Sequence, residues 1–437
     1  MIIKNEDTLL TKQKIVNTIS LRSYLQCCQN LYITTFAPVT SSLAFSLQVP
    51  NPSPKLTHTS PSLFKLNNQT VSFELIEFYN YKYHMITTSP SNSNQYDSHM
   101  PDRYDPVIPG LPDHIAEHCL LHLPFPYPSL LRSVSPSWNK ALLSPSFLLT
   151  KSKLCLSTPR LFVFSFHPQT LQIQCQSLDP ASHRWFLLPH IPLSTQIHPC
   201  YLACGTVASK GEMFLFAGGE NCLVYRAITN TWSVTGPMSS PRAPLAVGEV
   251  SDGRIAVVTE NSGMLSAEIY DSITDKWGPA AVMPQGIERY DAATINGRVY
   301  LTEGWDWPFD SPPRAAVYDA VHNMWQEMPK GMCEGWTGSS AVINGAFYIV
   351  TEYGDNNLKL YDETRDEWRP VRGGGVPKAV RRPYAVVGGG NGMLYVVGKG
   401  LDVAIGRVEK AKVEWEVIKG PEAFAELLPC NAQVLHL

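Results

Sequence analysis

Between residues 160 and 437 the apolar positions fall in short runs separated by two-residue turn signals: Asp252-Gly253, Asn296-Gly297, Asn344-Gly345 and Asn391-Gly392, with Lys210-Gly211 in the same slot. Asn-Gly and Asp-Gly suit the two positive-φ positions of a type I′ hairpin, whose twist matches that of its flanking strands. The runs that follow, RVYLT at 298–302, AFYIVT at 346–351 and MLYVV at 393–397, are β-branched and aromatic with little alternation. Such runs predict strands buried on both faces. Further on, an aromatic-acid pair precedes a tryptophan by a constant offset: Tyr270-Asp271 before Trp277, Tyr318-Asp319 before Trp325, and Tyr361-Asp362 before Trp368. Degenerate copies keep that offset, with Leu178-Asp179 before Trp185, Tyr225-Arg226 before Trp232 and Val408-Glu409 before Trp415. These six tryptophans are spaced by 47, 45, 48, 43 and 47 residues. That period is too long for a helix or strand pattern and fits one four-stranded blade repeated around a ring. Each unit reads as strand, tight turn, strand, variable loop, Tyr-Asp strand, short turn, Trp strand.

A ring of blades needs closing, because an open first or last sheet leaves unpaired backbone groups. The first unit, from Arg160 to Trp185, lacks an upstream innermost strand, while the tail from Cys430 to Leu437 has no Trp unit to serve. The tail is expected to supply the missing strand. The Trp and Tyr residues are assigned to packing between blades. The pairs Thr259-Glu260, Thr302-Glu303 and Thr351-Glu352 recur at one blade position, and either a rim or channel role or a structural hydrogen-bonding role fits them. The arrangement resembles the kelch repeat, whose pattern is an apolar strand, a Gly-Gly pair, then Tyr-Asp and a Trp six residues on. Gly-Gly survives only as Gly218-Gly219, so the resemblance rests on the Tyr/Asp/Trp register and the period, over about residues 160–437.

Ahead of the repeats lies a compact stretch with helical spacing. Pro112 fits the first turn of a helix, Asp113 and Glu117 suit its positive end, Pro124 stops it, and Ile115, Cys119, Leu120 and Leu123 share one face. A second helix is expected with Ser135 as N-cap and Pro136 as first residue, carrying Trp138 and Leu142 inward and ending before Pro145. A unit this small cannot bury a large core alone. The landmarks Leu111-Pro112, Leu123-Pro124, Val134-Ser135, Trp138 and Ser144-Pro145-Ser146-Phe147 resemble the F-box, with one departure, Pro128-Ser129 in place of an apolar pair. The resemblance implies docking on a Skp-type adaptor, and through it a cullin, by Leu111, Pro112, Ile115, Leu120, Leu123, Pro124, Val134 and Trp138. A rival reading exists: His114-Ile115-Ala116-Glu117-His118 matches the inverted zinc-protease signature, and His122 extends the row. The third ligand and a helical catalytic core are missing, so no metal or other cofactor is assigned.

Composition narrows the classes. At 437 residues the chain predicts two or three regions, and a net charge of −3 with no Lys/Arg cluster in the repeats larger than Arg381-Arg382 argues against nucleic-acid binding. Ten cysteines without a C-x-x-C, no signal peptide and no long apolar run point to reduced thiols in cytosol or nucleus and away from a membrane. Residues 1–105, rich in Ser, Thr, Asn and Gln, read as low-complexity and disordered, with a transient strand or docking peptide at residues 72–78. The expected architecture is mainly β: a six-bladed kelch-type β-propeller over 155–437, preceded by a small helical F-box over 106–150 and the disordered N-terminal segment. Domain order and motifs resemble plant F-box/kelch-repeat proteins. That resemblance implies a non-catalytic, substrate-recognition subunit of a Skp-cullin-F-box ubiquitin ligase, with Trp305, Trp307 and Phe309 on a loop between the second and third strands as candidate anchors for a target protein. The alternatives are an F-box scaffold outside a ligase and a propeller metalloenzyme, the latter disfavoured because the histidines of the repeats show no repeated ligand spacing.

Overall fold

The structure, a computed structural model, describes residues 65–66, 69–70 and 105–437 apart from 194–198, 200–201, 217–221, 239–243, 252, 262–263, 284–285, 288–290 and 305–310. Two compact units divide the chain, Met1–Asp105 and Pro106–Leu437. In the first, Lys65–Leu66 pairs antiparallel with Gln69–Thr70. The run at 72–78 lies outside the described residues.

The second unit holds four short helices followed by six four-stranded antiparallel sheets. Blade 2 is Ala203–Val207, Glu212–Phe216, Cys222–Arg226 and Thr231–Val234, and blades 3 to 5 repeat this order. Blade 6 ends with Lys412–Ile418. Blade 1 is completed from the far end of the chain: the strand Leu428–His436 is its innermost strand and pairs antiparallel with Pro159–Phe166, Ala432 opposite Val163. The second strands are buried along nearly their whole length, as in Glu212–Phe216 and Met393–Val397. They lie between neighbouring sheets, so both faces need apolar side chains. The innermost strands approach one another so closely that side chains must be small. A Cβ on Gly248 of blade 3 would lie within 3 Å of Thr294 of blade 4, and one on Gly388 of blade 6 would meet the Val342 carbonyl of blade 5 in the same way.

The repeated Tyr, Asp and Trp positions form a latch between consecutive blades. Tyr225, Tyr270, Tyr318 and Tyr361 each pack, tilted by 45–50° and with centroids 5.1–5.2 Å apart, against the Trp seven residues later. Each tyrosine hydroxyl donates to an Asn or Asp two residues before that Trp: Asn230, Asp275, Asn323 and Asp366. All four acceptors sit at φ near +50°, a conformation that Asn and Asp tolerate better than other non-glycine residues. From there the latch crosses to the preceding blade or to the connection that leaves it. Asn323 Oδ1 accepts from Ala281 N–H at 2.8 Å, and the Asp366 carboxylate accepts from Gly331 and Met332 N–H at 2.8 and 2.9 Å. The indole N–H groups of Trp232, Trp277, Trp325 and Trp368 donate to the carbonyls of Pro189, Gly236, Ala281 and Met332. Trp415 reaches the Gly374 carbonyl at 3.5 Å.

The acid of each Tyr-Asp pair has a different task. Asp271, Asp319 and Asp362 accept backbone N–H groups of the turn that follows, and Arg254 and Arg298 on the neighbouring strand face the first two. In blade 2 the signs are exchanged: Arg226 occupies the acidic position and pairs with Glu212 at 2.9 Å. The degenerate copy is therefore a compensated one.

Where blade 6 meets blade 1 the latch is absent. Leu178 replaces the tyrosine and His183 the Asn/Asp, and the Trp185 indole N–H has no acceptor among the described residues. Trp185 instead packs edge-on to Phe424 at 5.8 Å, and Leu161, Val163 and Leu178 of blade 1 join Tyr395, Val397 and Ile405 of blade 6 in one apolar cluster. The last junction is an apolar cluster, with the exposed His183 Nε2 3.2 Å from Glu416 Oε1 at its edge, and the returning strand holds it.

Candidate functional site

Helix α1 (Asp113–Leu121), α2 (Tyr127–Leu131), α3 (Pro136–Leu142) and α4 (Ser146–Lys153) make the helical unit. Ser135 caps α3, its hydroxyl accepting from Trp138 N–H at 3.1 Å, and Pro136 is the first helical residue. A strap ties α1 to α3: Val107 N–H donates to Asp113 Oδ1 at 3.1 Å, while the Trp138 indole N–H donates to the Val107 carbonyl at 2.6 Å. Sequence reasoning missed α4. Its Leu148 lies over Gly211 in the first turn of blade 2, and its Lys151 is buried, Nζ donating to the Leu123 carbonyl at 2.6 Å. Burial, aided by the nearby Arg160 guanidinium, pushes the Lys151 pKa down to about 8. Phe125 completes the seat, edge-on to Phe162 and Phe186 of blade 1.

The residues assigned to adaptor docking divide into two sets. Ile115 and Val134 are exposed, at 43% and 42%, and Pro112 and Pro124 also reach the surface. Leu111, Leu123 and Trp138 are half-buried. Leu120 is a correction: it is buried with Ala116 and Leu121 on the inner side of α1, whereas Ile115 and Cys119 point outward. The small Ala116 carries the inward stripe toward Leu120, so the four residues read as one face lie on two. Leu120 therefore supports the helical unit and is not available for contact. His114, Glu117, His118 and His122 are exposed, with the His118 and His122 rings 5.2 Å apart. Among the described residues no three His, Cys, Asp or Glu side chains gather as a metal site.

On the propeller, Trp305, Trp307 and Phe309 lie outside the described residues. Among the recurring Thr-Glu positions, Glu303 pairs with Arg314 at 2.9 Å and Thr351 Oγ1 donates to the Tyr353 carbonyl at 2.9 Å, so both are engaged in holding their loops. A cavity of about 440 Å³ on the ring axis is lined by the innermost strands of all six blades. Its Asp291 carboxylate accepts from the Trp336 indole N–H at 2.9 Å and Ser340 N–H at 2.7 Å, a tie between blades 4 and 5.

No family model matches the chain. It is 41% identical over 369 residues to F-box protein AFR of Arabidopsis thaliana, an alignment spanning 80% of this chain and 99% of that protein. To the F-box/kelch-repeat protein At1g30090 of the same plant it is 34% identical over 350 residues, 76% of this chain and 87% of the relative. F-box/kelch-repeat protein SKIP25, also of Arabidopsis thaliana, matches at 25% over 301 residues, 61% of this chain and 74% of that protein. With four helices seated on a six-bladed ring whose blades carry the Tyr/Asp/Trp register, the chain belongs to the plant F-box/kelch-repeat family.

Proposed function

We propose that this F-box substrate adaptor works in a Skp-cullin-F-box ubiquitin ligase of the cytosol or nucleus. Its helical unit docks on a Skp-type adaptor, and through it a cullin, while the propeller holds the target and other subunits transfer ubiquitin. The observation that carries this reading is where apolar surface remains uncovered. Six of the fifteen large apolar side chains exposed among the described residues, Ile115, Leu130, Val134, Leu143, Leu149 and Leu154, belong to the helical unit and its end, although it is a small part of the chain. A partner that covers them gains burial at about 25 cal/mol per Å² of apolar area.

The test is co-purification of the full chain with a Skp-type adaptor and a cullin. Ile115→Glu is expected to lose adaptor capture with an unchanged melting curve. Leu120→Glu is expected to lower the melting point, because it places a charge in the helical core. Undiminished capture by Ile115→Glu, or no capture by the natural chain, would overturn the proposal. Capture of adaptor without cullin would favour a scaffold outside the ligase.

A further inference from the structure

The connection from the outer strand of blade 5 to the innermost strand of blade 6, residues 371–384, contains Arg372, Lys378, Arg381 and Arg382 and no acidic residue. It is held firmly. Val380 is buried, Val376 N–H donates to Asn357 Oδ1 at 2.8 Å, the Tyr384 hydroxyl donates to the Val380 carbonyl at 3.2 Å, and Lys399 N–H donates to the Arg381 carbonyl at 2.8 Å. The Arg382 guanidinium lies 4.9 Å over the Tyr384 ring and donates to the Thr351 carbonyl at 2.9 Å. Many arginines of the ring face a carboxylate of their own blade, as in Arg160–Asp179, Arg298–Asp319 and Arg369–Asp362. Lys378, Arg381 and Arg382 are exposed and take part in none of the ion pairs among the described residues. The loop of blade 5 that packs on this connection through Asn357 and Thr351, the latter bonded to both Arg382 and the Tyr353 carbonyl, projects Tyr353, 79% exposed, with Glu352 and Asp355 as its acids.

We propose that this edge, Lys378, Arg381 and Arg382 with Tyr353, receives an acidic peptide segment of the target; the proposal rests on the reading that the propeller holds the target. Carboxylates would meet the cations, and guanidinium forks accept them in two-point geometry. Apolar side chains of the same segment would lie on the Tyr353 ring. Because the backbone is already fixed, little ordering opposes binding. Loops of this kind leave the blades at the end opposite to the turn at Gly211 that touches α4, so helical unit and target edge are engaged together.

Fluorescence anisotropy tests the proposal on the full chain. The probes are a fluorescein-labelled short peptide of Glu and Leu, its counterpart with Gln for Glu, and a labelled single-stranded oligonucleotide. The Glu peptide is expected to bind at least about tenfold more tightly than the Gln peptide and to weaken as salt screens the charges. Reversing Lys378→Glu and Arg381→Glu together should weaken it by about tenfold or more, with an unchanged melting curve; Arg382 is left in place because it braces Thr351. Equal affinity for the Glu and Gln peptides, no loss on charge reversal, or tighter binding of the oligonucleotide would overturn the proposal. Adaptor capture is measured on the same proteins. If capture persists while the peptide results fail, the acidic-segment edge alone is refuted; if the natural chain captures no adaptor, the ligase reading falls on its own.

Discussion

Replacing Asp366 by alanine isolates the latch between blades 4 and 5. Its carboxylate accepts three hydrogen bonds, from the Tyr361 hydroxyl at 2.8 Å and from Gly331 and Met332 N–H at 2.8 and 2.9 Å. Alanine leaves all three donors without their acceptor. At about 1 kcal/mol for each bond the loss is about 3 kcal/mol. Alanine at a φ of 52° adds about 1 kcal/mol of backbone strain, for a total of about 4 kcal/mol. Asparagine is the control that blade 4 already contains: Asn323 Oδ1 serves both the Tyr318 hydroxyl at 3.0 Å and Ala281 N–H at 2.8 Å. Asp366→Asn should therefore lose one acceptor, about 1 kcal/mol. The assay is urea unfolding of the full chain at neutral pH, followed by tryptophan fluorescence. An alanine variant within about 1 kcal/mol of the natural chain, or an asparagine variant as costly as alanine, would refute the reasoning. The latch also has an acid limit. Burial favours the neutral carboxyl, but the donors Gly331, Tyr361 and Met332 together hold the Asp366 pKa below its ordinary value. A depressed folded pKa gives stability that is full above about pH 4 and fades as pH falls through the folded value, and Asp366→Ala should lose less stability over that fall than the natural chain does.

Two further outcomes are expected. Lys151 binds its proton more weakly folded, at about 8, than unfolded, at about 10.4, so its contribution to stability should rise with pH across that window; the melting point of the natural chain should rise relative to that of Lys151→Met there, and parallel curves would contradict the burial of this amine. A variant ending at Pro421 lacks the strand Leu428–His436, leaves Pro159–Phe166 without its inner partner and should unfold at a markedly lower temperature; an unchanged melting curve would contradict strand-mediated closure.

The six sectors are legible in the sequence because tryptophan is rare and bulky, and its spacing repeats even where Tyr225-Arg226 or Leu178-Asp179 departs from the motif. The latch acceptor two residues before four of these tryptophans is harder to see. Asn230, Asp275, Asn323 and Asp366 share a backbone conformation and an oxygen, not an identity, so no single letter repeats. Helix α4 escapes a periodicity reading because Ser146–Lys153 offers Phe147, Leu148 and Leu149 in succession, with no side-chain cap and a lysine on its buried side. On α1 the apolar residues at helical spacing belong to two sides, and nothing in spacing alone distinguishes Leu120, which meets the interior, from Ile115, which meets solvent. The cationic connection shows in sequence only as Arg381-Arg382. Its character depends on Lys378 and on Tyr353 from another loop, brought together by the ring.

The carboxy-terminal Leu437 exchanges two backbone hydrogen bonds with Thr158, which directly follows the helices, and its side chain lies close to Gly211, the glycine that Leu148 of α4 also approaches. In the proposed ligase role, docking and cargo capture thus both depend on the segment 428–437. Removing that segment would leave the wheel unsealed and the plug misaimed together, so one short deletion would disable both halves of the proposed role.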